Sequence, residues 1–172
     1  HPRTPLVHRA ISGQYAPGST FKMIIALAAL EAGVISADHR VFCGGKIEFG
    51  DRFFHCWKKG GHGELSLANA IEQSCDIHFY DVARRVGIDR IGKMASRFGL
   101  GVPTGIGLEG EEDGLVPTRA WKRKRHDEPW HQGETLVSGI GQGYLLVTPL
   151  QLAMMTAQIA NGGFRIKPTL VA

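Results

Sequence analysis

Apolar residues follow one another almost without interruption from Phe21 to Leu30. A helix that is apolar on every face normally lies in the core of a domain, so this stretch predicts a buried helix. The preceding Pro17-Gly18 pair predicts a turn into the helix, and Gly33 suits the position just after its end. This helix is the predicted centre of the fold.

The rest of the chain alternates short helical patterns with glycine-rich loops. Further helices are predicted over residues 67–72, 77–86, 89–98, 118–121 and 150–160, with Ser66, Asp89, Thr118 and Thr148 as N-caps. Extended pieces are predicted at residues 41–43, 46–49 and 164–167. Residues 1–18, 99–117 and 126–147 are interpreted as loops or irregular structure. The pattern predicts a mainly helical chain with little sheet.

The composition is that of an ordinary soluble globular domain, with 43% hydrophobic and 21% charged residues in a chain of 172. No apolar run is long enough to span a membrane, and no signal peptide opens the chain. The net charge of +4 is mild, and the basic run from Lys122 to Arg125 is typical of a solvated face. The abrupt ends at His1 and Ala172 lead us to expect a piece of a longer protein.

Ser19 and Lys22 lie three positions apart at the start of the predicted buried helix. Residues i and i+3 are neighbours on a helix surface, so the lysine amine should lie beside the serine hydroxyl. A desolvated lysine loses its charge readily and can accept a proton, as the base of a serine nucleophile must. The alternative is that Ser19 only caps the helix and Lys22 extends to solvent.

The segment Tyr15-Ala16-Pro17-Gly18-Ser19-Thr20-Phe21-Lys22 resembles the first active-site motif of the penicillin-binding proteins and serine β-lactamases. Further stretches over nearly the whole chain resemble class B penicillin-binding proteins, above all the penicillin-binding protein 2 group. They are Trp57-Lys58-Lys59, Glu72-Gln73-Ser74, residues 117–125, Gly139-Ile140-Gly141-Gln142-Gly143 and Thr148-Pro149-Leu150-Gln151. Because the basic run belongs to this resemblance, no nucleic-acid-binding function is inferred from it.

The tripeptide Ser74-Cys75-Asp76 resembles the second motif of the family, Ser-x-Asn. The resemblance implies that Ser74 relays protons and that Asp76 positions Lys22 and the substrate. Aspartate at the third position is shared with the penicillin-binding protein 2 group, and its charge should favour a protonated Lys22. Asp76 could also act only as a cap of the following helix. If the tripeptide is extended, Ser74 and Asp76 face the cleft and Cys75 faces away.

The resemblance implies an α+β penicillin-binding transpeptidase fold, similar to that of serine β-lactamases, of which residues 1–172 form one partial domain. This part should be mainly α, a helical subdomain with short hairpins and without most of the central sheet. The third motif of the family, Lys-Thr/Ser-Gly, does not occur in the sequence. The Ser19 backbone N–H would form only half of the oxyanion hole, so we expect this piece alone to be inactive.

The activity implied for the full-length protein is D,D-transpeptidation of peptidoglycan in cell-wall elongation. Ser19 would attack the penultimate D-Ala carbonyl of a stem peptide, and a neighbouring stem amine would take over the acyl group. β-Lactam antibiotics would acylate the same serine. The resemblance implies a periplasmic location at the inner membrane, with an anchor outside this chain and membrane proteins of the elongation machinery as partners.

The three cysteines form a second constellation with His62, in the spacing Cys43-x12-Cys56-x5-His62-x12-Cys75. Three thiolates and one imidazole complete the shell of a tetrahedral structural zinc site. The resemblance supports this prediction, because the penicillin-binding protein 2 group has metal-ligand residue types at equivalent loop positions. No cofactor is expected for the chemistry itself.

Alternatives to this ligand set stay open. His55 and His78 are possible substitute ligands, although the glycines on both sides of His62 favour that residue. A Cys43–Cys56 disulfide, with the third cysteine free, is the competing prediction for an oxidising periplasm.

Two other functions belong to different classes. A serine β-lactamase would need a deacylating base, and no glutamate lies in a matching motif. A non-catalytic module of the elongation machinery would bind its partners through the basic run. Covalent labelling by a penicillin separates the transpeptidase from the module, and rapid turnover of the label would identify a β-lactamase.

Overall fold

Eight α-helices and two small antiparallel sheets make up residues 8–170, the part of the chain that the computed structural model describes. The helices are α1 (Arg9–Ser12), α2 (Lys22–Glu31), α3 (Leu67–Glu72), α4 (Asp76–Val86), α5 (Ile88–Arg97), α6 (Arg119–His126), α7 (Gln132–Gly139) and α8 (Pro149–Ala160). The strands are β1 (Arg40–Cys43), β2 (Lys46–Phe49), β3 (Arg52–His55) and β4 (Gly63–Ser66). A 3₁₀ turn over Gly18–Phe21 leads directly into α2.

Helix α2 lies at the centre of the core, as its sequence predicts. Its buried side chains include Ile24, Ile25, Ala28 and Ala29, each at most 4% exposed. It packs against α4 and α5, and α4 packs in turn against α7. Gly139 allows the close approach of α7 to α4, since a Cβ at this position would overlap the Cβ of Ala83. The segments at the start of α2 and α4, which contain Lys22 and Asp76, are therefore fixed by the core.

The two sheets form nested hairpins between α2 and α3. Strand β1 pairs with β4 so that Cys43 lies opposite Gly63, and the β2–β3 hairpin is inserted between them with Phe49 opposite Arg52. The extended pieces predicted at 41–43 and 46–49 are confirmed as β1 and β2. The sequence analysis predicts no strand at the positions of the partner strands β3 and β4. The mainly helical character with short hairpins agrees with the prediction for this part of the fold.

Three predicted N-caps are confirmed by their side chains. Ser66, Thr118 and Thr148 each accept a hydrogen bond from the backbone N–H three residues on, and the side chain of Gln151 completes a capping box with Thr148. The prediction for Asp89 is wrong, because α5 begins one residue earlier, after Gly87 with a φ of 80°. The Asp89 carboxylate instead accepts a hydrogen bond from the first N–H of α6.

Four other predictions are corrected by the structure. The segment 126–147, interpreted as irregular, contains α7, whose first turn is closed by the Glu134 carboxylate on the His131 N–H. Residues 164–167 form no strand, since the described residues offer them no partner strand for a ladder. Helix α6 extends to His126, beyond the predicted range of 118–121. Helix α1 lies within residues 1–18, which were predicted as a loop. Residues 1–7 and 171–172 lie outside the described range, in which no helix has the length and apolarity of a membrane span.

Candidate active site

Ser19 lies on the 3₁₀ turn ahead of α2, with its side chain exposed. The turn is held from below by the glycine-rich segment after α7: Gly18 donates its N–H to the carbonyl of Gly141 at 2.8 Å. Gly141 has a φ of 72°, and a Cβ there would overlap the Gly18 carbonyl oxygen. Only glycine allows this approach, so the 139–143 segment packs directly against the turn that carries Ser19.

Lys22 extends into the protein, with 2% of the residue exposed. Its Nζ donates to the backbone carbonyl of Ser74 at 2.9 Å, to the Ser74 Oγ at 3.0 Å and to the Asp76 Oδ1 at 2.7 Å. The lysine Nζ thus has three hydrogen-bond acceptors, and all of them belong to the second motif. The alternative in which Lys22 extends to solvent is wrong.

Ser74 bridges the nucleophile candidate and the lysine. Its Oγ lies 2.8 Å from the Ser19 Oγ and 3.0 Å from the Lys22 Nζ. Among the described residues no hydrogen bond joins Lys22 to Ser19 directly, contrary to the expectation from their i, i+3 spacing. Ser19 lies on a 3₁₀ turn rather than on the α-helix, and the ion pair with Asp76 holds the amine beside Ser74 instead. A proton leaving Ser19 would therefore reach Lys22 through Ser74.

The backbone of Ser74 is left-handed, with a φ of 51°, so the tripeptide is not extended as the sequence analysis supposed. This conformation costs a residue with a Cβ roughly 1–2 kcal/mol. It is held by two donors on the Ser74 carbonyl, the Lys22 Nζ at 2.9 Å and the Trp57 Nε1 at 3.1 Å. Ser74 nevertheless faces Ser19, and Cys75 lies fully buried on the other side.

Asp76 uses both carboxylate oxygens. Oδ1 binds Lys22, and Oδ2 accepts the backbone N–H of Trp57 at 3.0 Å. Asp76 is the first residue of α4 rather than its N-cap, which is Cys75. A carboxylate in the first turn still interacts favourably with the helix dipole. Asp76 thus connects the lysine, the start of α4 and the loop after β3.

The motif residues open on a shallow cleft of ≈ 480 Å³. The cleft is lined by residues of both motifs and of two loops: Gly18, Ser19, Trp57, Ser74, Asp76, Ile140 and Gln142. In the sequence, Trp57, Ile140 and Gln142 lie in segments that resemble the family but have no predicted role in the site. A larger groove lies between the β2–β3 hairpin and α7 and contains no residue of either motif.

Lys122 is buried at 1% exposed, which corrects the prediction of a solvated basic run. Its Nζ lies 2.6 Å from the Glu134 Oε1 and ties α6 to the first turn of α7. Burial would raise the pKa of Glu134, but the hydrogen bonds from Lys122 and from the His131 N–H outweigh it and lower the pKa. Only residues 123–125 of the run are exposed.

The metal-ligand candidates converge behind the second motif. One ligand atom from each of Cys43, Cys56, His62 and Cys75 lies within 4.8 Å of the others. The His62 Nδ1 is 3.5 Å from the Cys43 Sγ and 3.6 Å from the Cys56 Sγ. Tetrahedral zinc with ordinary Zn–S and Zn–N bonds places these atoms about 3.6 Å apart, so the four residues fit this ion.

The cluster is drawn from four separate elements. Cys43 ends β1, Cys56 follows β3, His62 precedes β4 and Cys75 caps α4. All three cysteines are free thiols in the structure. The possible substitutes His55 and His78 are outside the cluster: the former is exposed, and the latter is buried with neither ring nitrogen hydrogen-bonded.

Comparison with known proteins places this geometry in a family. Residues 2–172 match the penicillin-binding protein transpeptidase domain. The chain is 43% identical over 172 residues to the peptidoglycan D,D-transpeptidase MrdA of Escherichia coli K12, covering 99% of this chain and 27% of that protein. The chain therefore spans about a quarter of the length of such relatives.

Solved structures agree with the sequence match. The fold superposes on Pseudomonas aeruginosa PBP2 in complex with WCK 5153 with a TM-score of 0.95 and 46% identity, covering 98% of this chain and 39% of that one. The PBP2 chain of a complex with MreC from Helicobacter pylori gives a TM-score of 0.92 at 38% identity, covering 96% of this chain and 31% of that one.

Proposed function

Because the chain belongs to the penicillin-binding protein transpeptidase family, we propose that it is the nucleophile-bearing part of a peptidoglycan D,D-transpeptidase that acts through an acyl-enzyme on Ser19. The observation that carries this proposal is the unbroken hydrogen-bond chain Ser19–Ser74–Lys22–Asp76 at the edge of an open cleft. A serine nucleophile needs a base within reach of its hydroxyl, directly or through one relay.

In the first half-reaction the Ser19 Oγ attacks the penultimate D-Ala carbonyl of a pentapeptide stem. For this step Lys22 acts as the neutral amine: the Ser19 proton moves to the Ser74 Oγ as Ser74 passes its own proton to the Lys22 Nζ, which becomes the ammonium. The proton is then delivered to the nitrogen of the terminal D-Ala, which leaves as the amine. The product is an ester between Ser19 and the shortened stem.

In the second half-reaction the amine of a neighbouring stem attacks this ester. It forms the cross-linking amide and loses a proton to the same relay, which returns the proton to the Ser19 Oγ. A β-lactam acylates Ser19 in the same way, but its leaving nitrogen stays tethered in the opened ring. Such an adduct persists on the serine.

Asp76 keeps Lys22 in position for this relay. Its carboxylate neutralises the ammonium that forms when Lys22 takes the proton, a charge that would otherwise be costly in the core, and it fixes Lys22 against Ser74. The Ser19 N–H supplies one oxyanion donor, and the segment that would carry the other belongs to the Lys-Thr/Ser-Gly motif, which this sequence does not contain. We therefore place the activity in the full-length protein.

We also propose that Cys43, Cys56, His62 and Cys75 hold a structural zinc ion. The fit of the four ligand atoms to tetrahedral coordination supports this ligand set. The ion would take no part in the chemistry. It would contribute folding free energy and would tie the loops of residues 41–63 to the start of α4.

The cellular setting follows by analogy with the relatives. A PBP2 from Helicobacter pylori forms a complex with MreC, which supports a role for this protein in the cell-elongation machinery beside membrane partners. Stem peptides lie outside the cytoplasmic membrane, so we place the domain on its periplasmic face, with a membrane anchor outside residues 1–172.

The test is the release of D-Ala from a pentapeptide stem by the full-length protein in the presence of acceptor strands. The native protein should release D-Ala and form cross-linked product, whereas Ser19→Ala should do neither. Ser36→Ala, an exposed serine outside the cleft, serves as the matched control and should be fully active. Equal D-Ala release by native and Ser19→Ala protein would overturn the assignment, as would a native protein that binds partners but releases none.

A further inference from the structure

Trp57 forms hydrogen bonds to the second motif, although it is distant from that motif in the sequence. Its indole Nε1 donates to the carbonyls of Gln73 and Ser74 at 3.2 and 3.1 Å, and its backbone N–H donates to the Asp76 Oδ2 at 3.0 Å. The residue is nevertheless 64% exposed. Burial of the ring therefore does not explain the position of the Trp57 side chain, and its hydrogen bonds hold it there.

The Ser74 carbonyl is the acceptor that matters most. Ser74 is one of only two described residues other than glycine with a positive φ, and its carbonyl accepts from both the Lys22 Nζ and the Trp57 Nε1. The left-handed turn directs the Ser74 Oγ to the Ser19 Oγ at 2.8 Å. Without a second donor, only Lys22 would hold the carbonyl, and that amine also has to serve the hydroxyl.

We propose that Trp57 is a positioning residue for acylation: its indole N–H holds the left-handed turn of Ser74, so that the Ser74 hydroxyl bridges Ser19 and Lys22. This inference rests on the proposed function of Ser19. Trp57 itself touches neither the nucleophile nor the lysine through any hydrogen bond in the described residues. It acts on the reaction through Ser74 and Asp76.

The exposed ring of Trp57 also lines the cleft, so a direct contact with substrate is the competing role. The two roles separate kinetically. A substrate contact that is equal in the ground and transition states changes the non-covalent dissociation constant, whereas a misplaced relay lowers the acylation rate constant. A small displacement of a catalytic group can cost about a hundredfold in rate.

The experiment uses Trp57→Phe in the full-length protein, because this change removes the N–H and keeps an aromatic ring. Stopped-flow acylation by a fluorescent penicillin should show a rate constant lowered about tenfold to hundredfold, with the dissociation constant of the non-covalent complex within about twofold of native. Trp130→Phe is the matched control: it removes a 2.8 Å indole bond to Thr135 outside the cleft and should acylate at the native rate.

A second readout separates this role from a merely structural one. Glycine adopts a positive φ without strain, so Ser74→Gly removes the need for a restraint on the turn. Trp57→Phe should lower the Tm of the native protein by more than that of the Ser74→Gly variant, because only the native turn needs the indole to hold a strained conformation. This comparison of Tm values requires no acylation. An equal loss of Tm in both backgrounds would overturn the proposal.

Other outcomes are equally decisive. An acylation rate constant of Trp57→Phe equal to that of the native protein would refute the proposal. A weaker non-covalent complex with an unchanged rate constant would refute it as well, because that result indicates a direct substrate contact. If the native protein is not acylated at Ser19 at all, the proposed function fails first, and the Tm comparison still tests the turn.

Discussion

Lys22 and Asp76 form a buried ion pair, with 2.7 Å between the Nζ and Oδ1 and only 2% of the lysine side chain exposed. The pair joins the start of α2 to the start of α4, next to Ser19 and Ser74. The Asp76 Oδ2 is bound by the N–H of Trp57, the residue after the metal-ligand candidate Cys56. The Asp76 carboxylate thus connects Lys22 of the proposed relay to the segment that carries the metal-ligand candidate Cys56.

Breaking this pair should destabilise the domain strongly. Asp76→Ala leaves a buried ammonium without a counter-charge, and loss of one partner of a buried pair typically costs about 3–5 kcal/mol. Glu64→Ala is the matched control, because its contact with Arg40 is 3.5 Å long and exposed, and such pairs contribute at most about 1 kcal/mol. Calorimetric unfolding of the full-length variants measures both, and equal losses would contradict a buried Lys22–Asp76 pair.

Lys22 and Ser74 should act as one unit with Ser19. Lys22→Met and Ser74→Ala should each lower the acylation rate constant by at least about a hundredfold, as expected for loss of a general base or of its relay. Because either change interrupts the same proton path, the double variant should be little slower than the slower single variant. Rapid-mixing kinetics with a fluorescent penicillin give the three rates, and losses that multiply in full would show that no relay is shared.

Removing the metal should loosen the loops of residues 41–63 and lower the Tm by several degrees. A closed four-ligand site contributes folding free energy directly, so a chelator should reproduce the effect of Cys43→Ser. Protein purified without added metal should contain about one zinc ion per chain by elemental analysis. Acylation should slow as well, although no ligand touches the cleft, because Cys75 lies between Ser74 and Asp76.

The competing disulfide gives opposite results for the same sample. It predicts no bound metal, one titratable thiol after denaturation, and a Cys43–Cys56 bridge in the peptide map. Finding that bridge in metal-free native protein would end the zinc proposal. Cys75→Ala would then leave the bridge intact, whereas in a zinc protein it should weaken metal binding.

Asp81 should make the stability of the domain depend on acidic pH. Burial would raise the pKa of Asp81, but hydrogen bonds from Arg85 and His39 outweigh it and hold the pKa below its usual value. Its charged form therefore stabilises the fold fully above the unfolded pKa of about 3.9, and this contribution is lost as the pH falls through the lower folded-state pKa.

The Tm difference between native protein and Asp81→Asn measures this contribution. It should be largest near neutral pH and should shrink as the pH falls below about 4 and through the lower folded-state pKa, below which the carboxyl is protonated in both the folded and the unfolded protein. Asp89→Asn, in an exposed pair, should show little difference from native protein across the same range. A Tm difference for Asp81→Asn that grows on acidification would contradict the direction of the shift.

Features set by neighbouring residues were predictable from the sequence. The apolar run of α2, the caps Ser66, Thr118 and Thr148, and the closing Gly87 of α4 all act within one or two turns, and the structure has them as expected. The Ser19 and Ser74 motifs were located by resemblance, and the four metal-ligand candidates by residue type and spacing. The structure brings each set together.

Features set by distant residues were not predictable. Lys122 reads as part of a basic surface run and is buried only because Glu134 lies opposite it. The left-handed turn of Ser74 depends on donors from Lys22 and Trp57, which are distant in sequence. Helix α7 has two glycines in eight residues and a weak pattern, and it is stabilised by its packing against α4.

Mass spectrometry of the full-length protein after incubation with a penicillin shows directly whether Ser19 carries the acyl group. We expect one adduct per chain with the mass of the whole antibiotic, located by peptide mapping to the segment containing Ser19 and missing in Ser19→Ala. An adduct that persists in Ser19→Ala, an adduct mapped to another residue, or native protein of unchanged mass would contradict it.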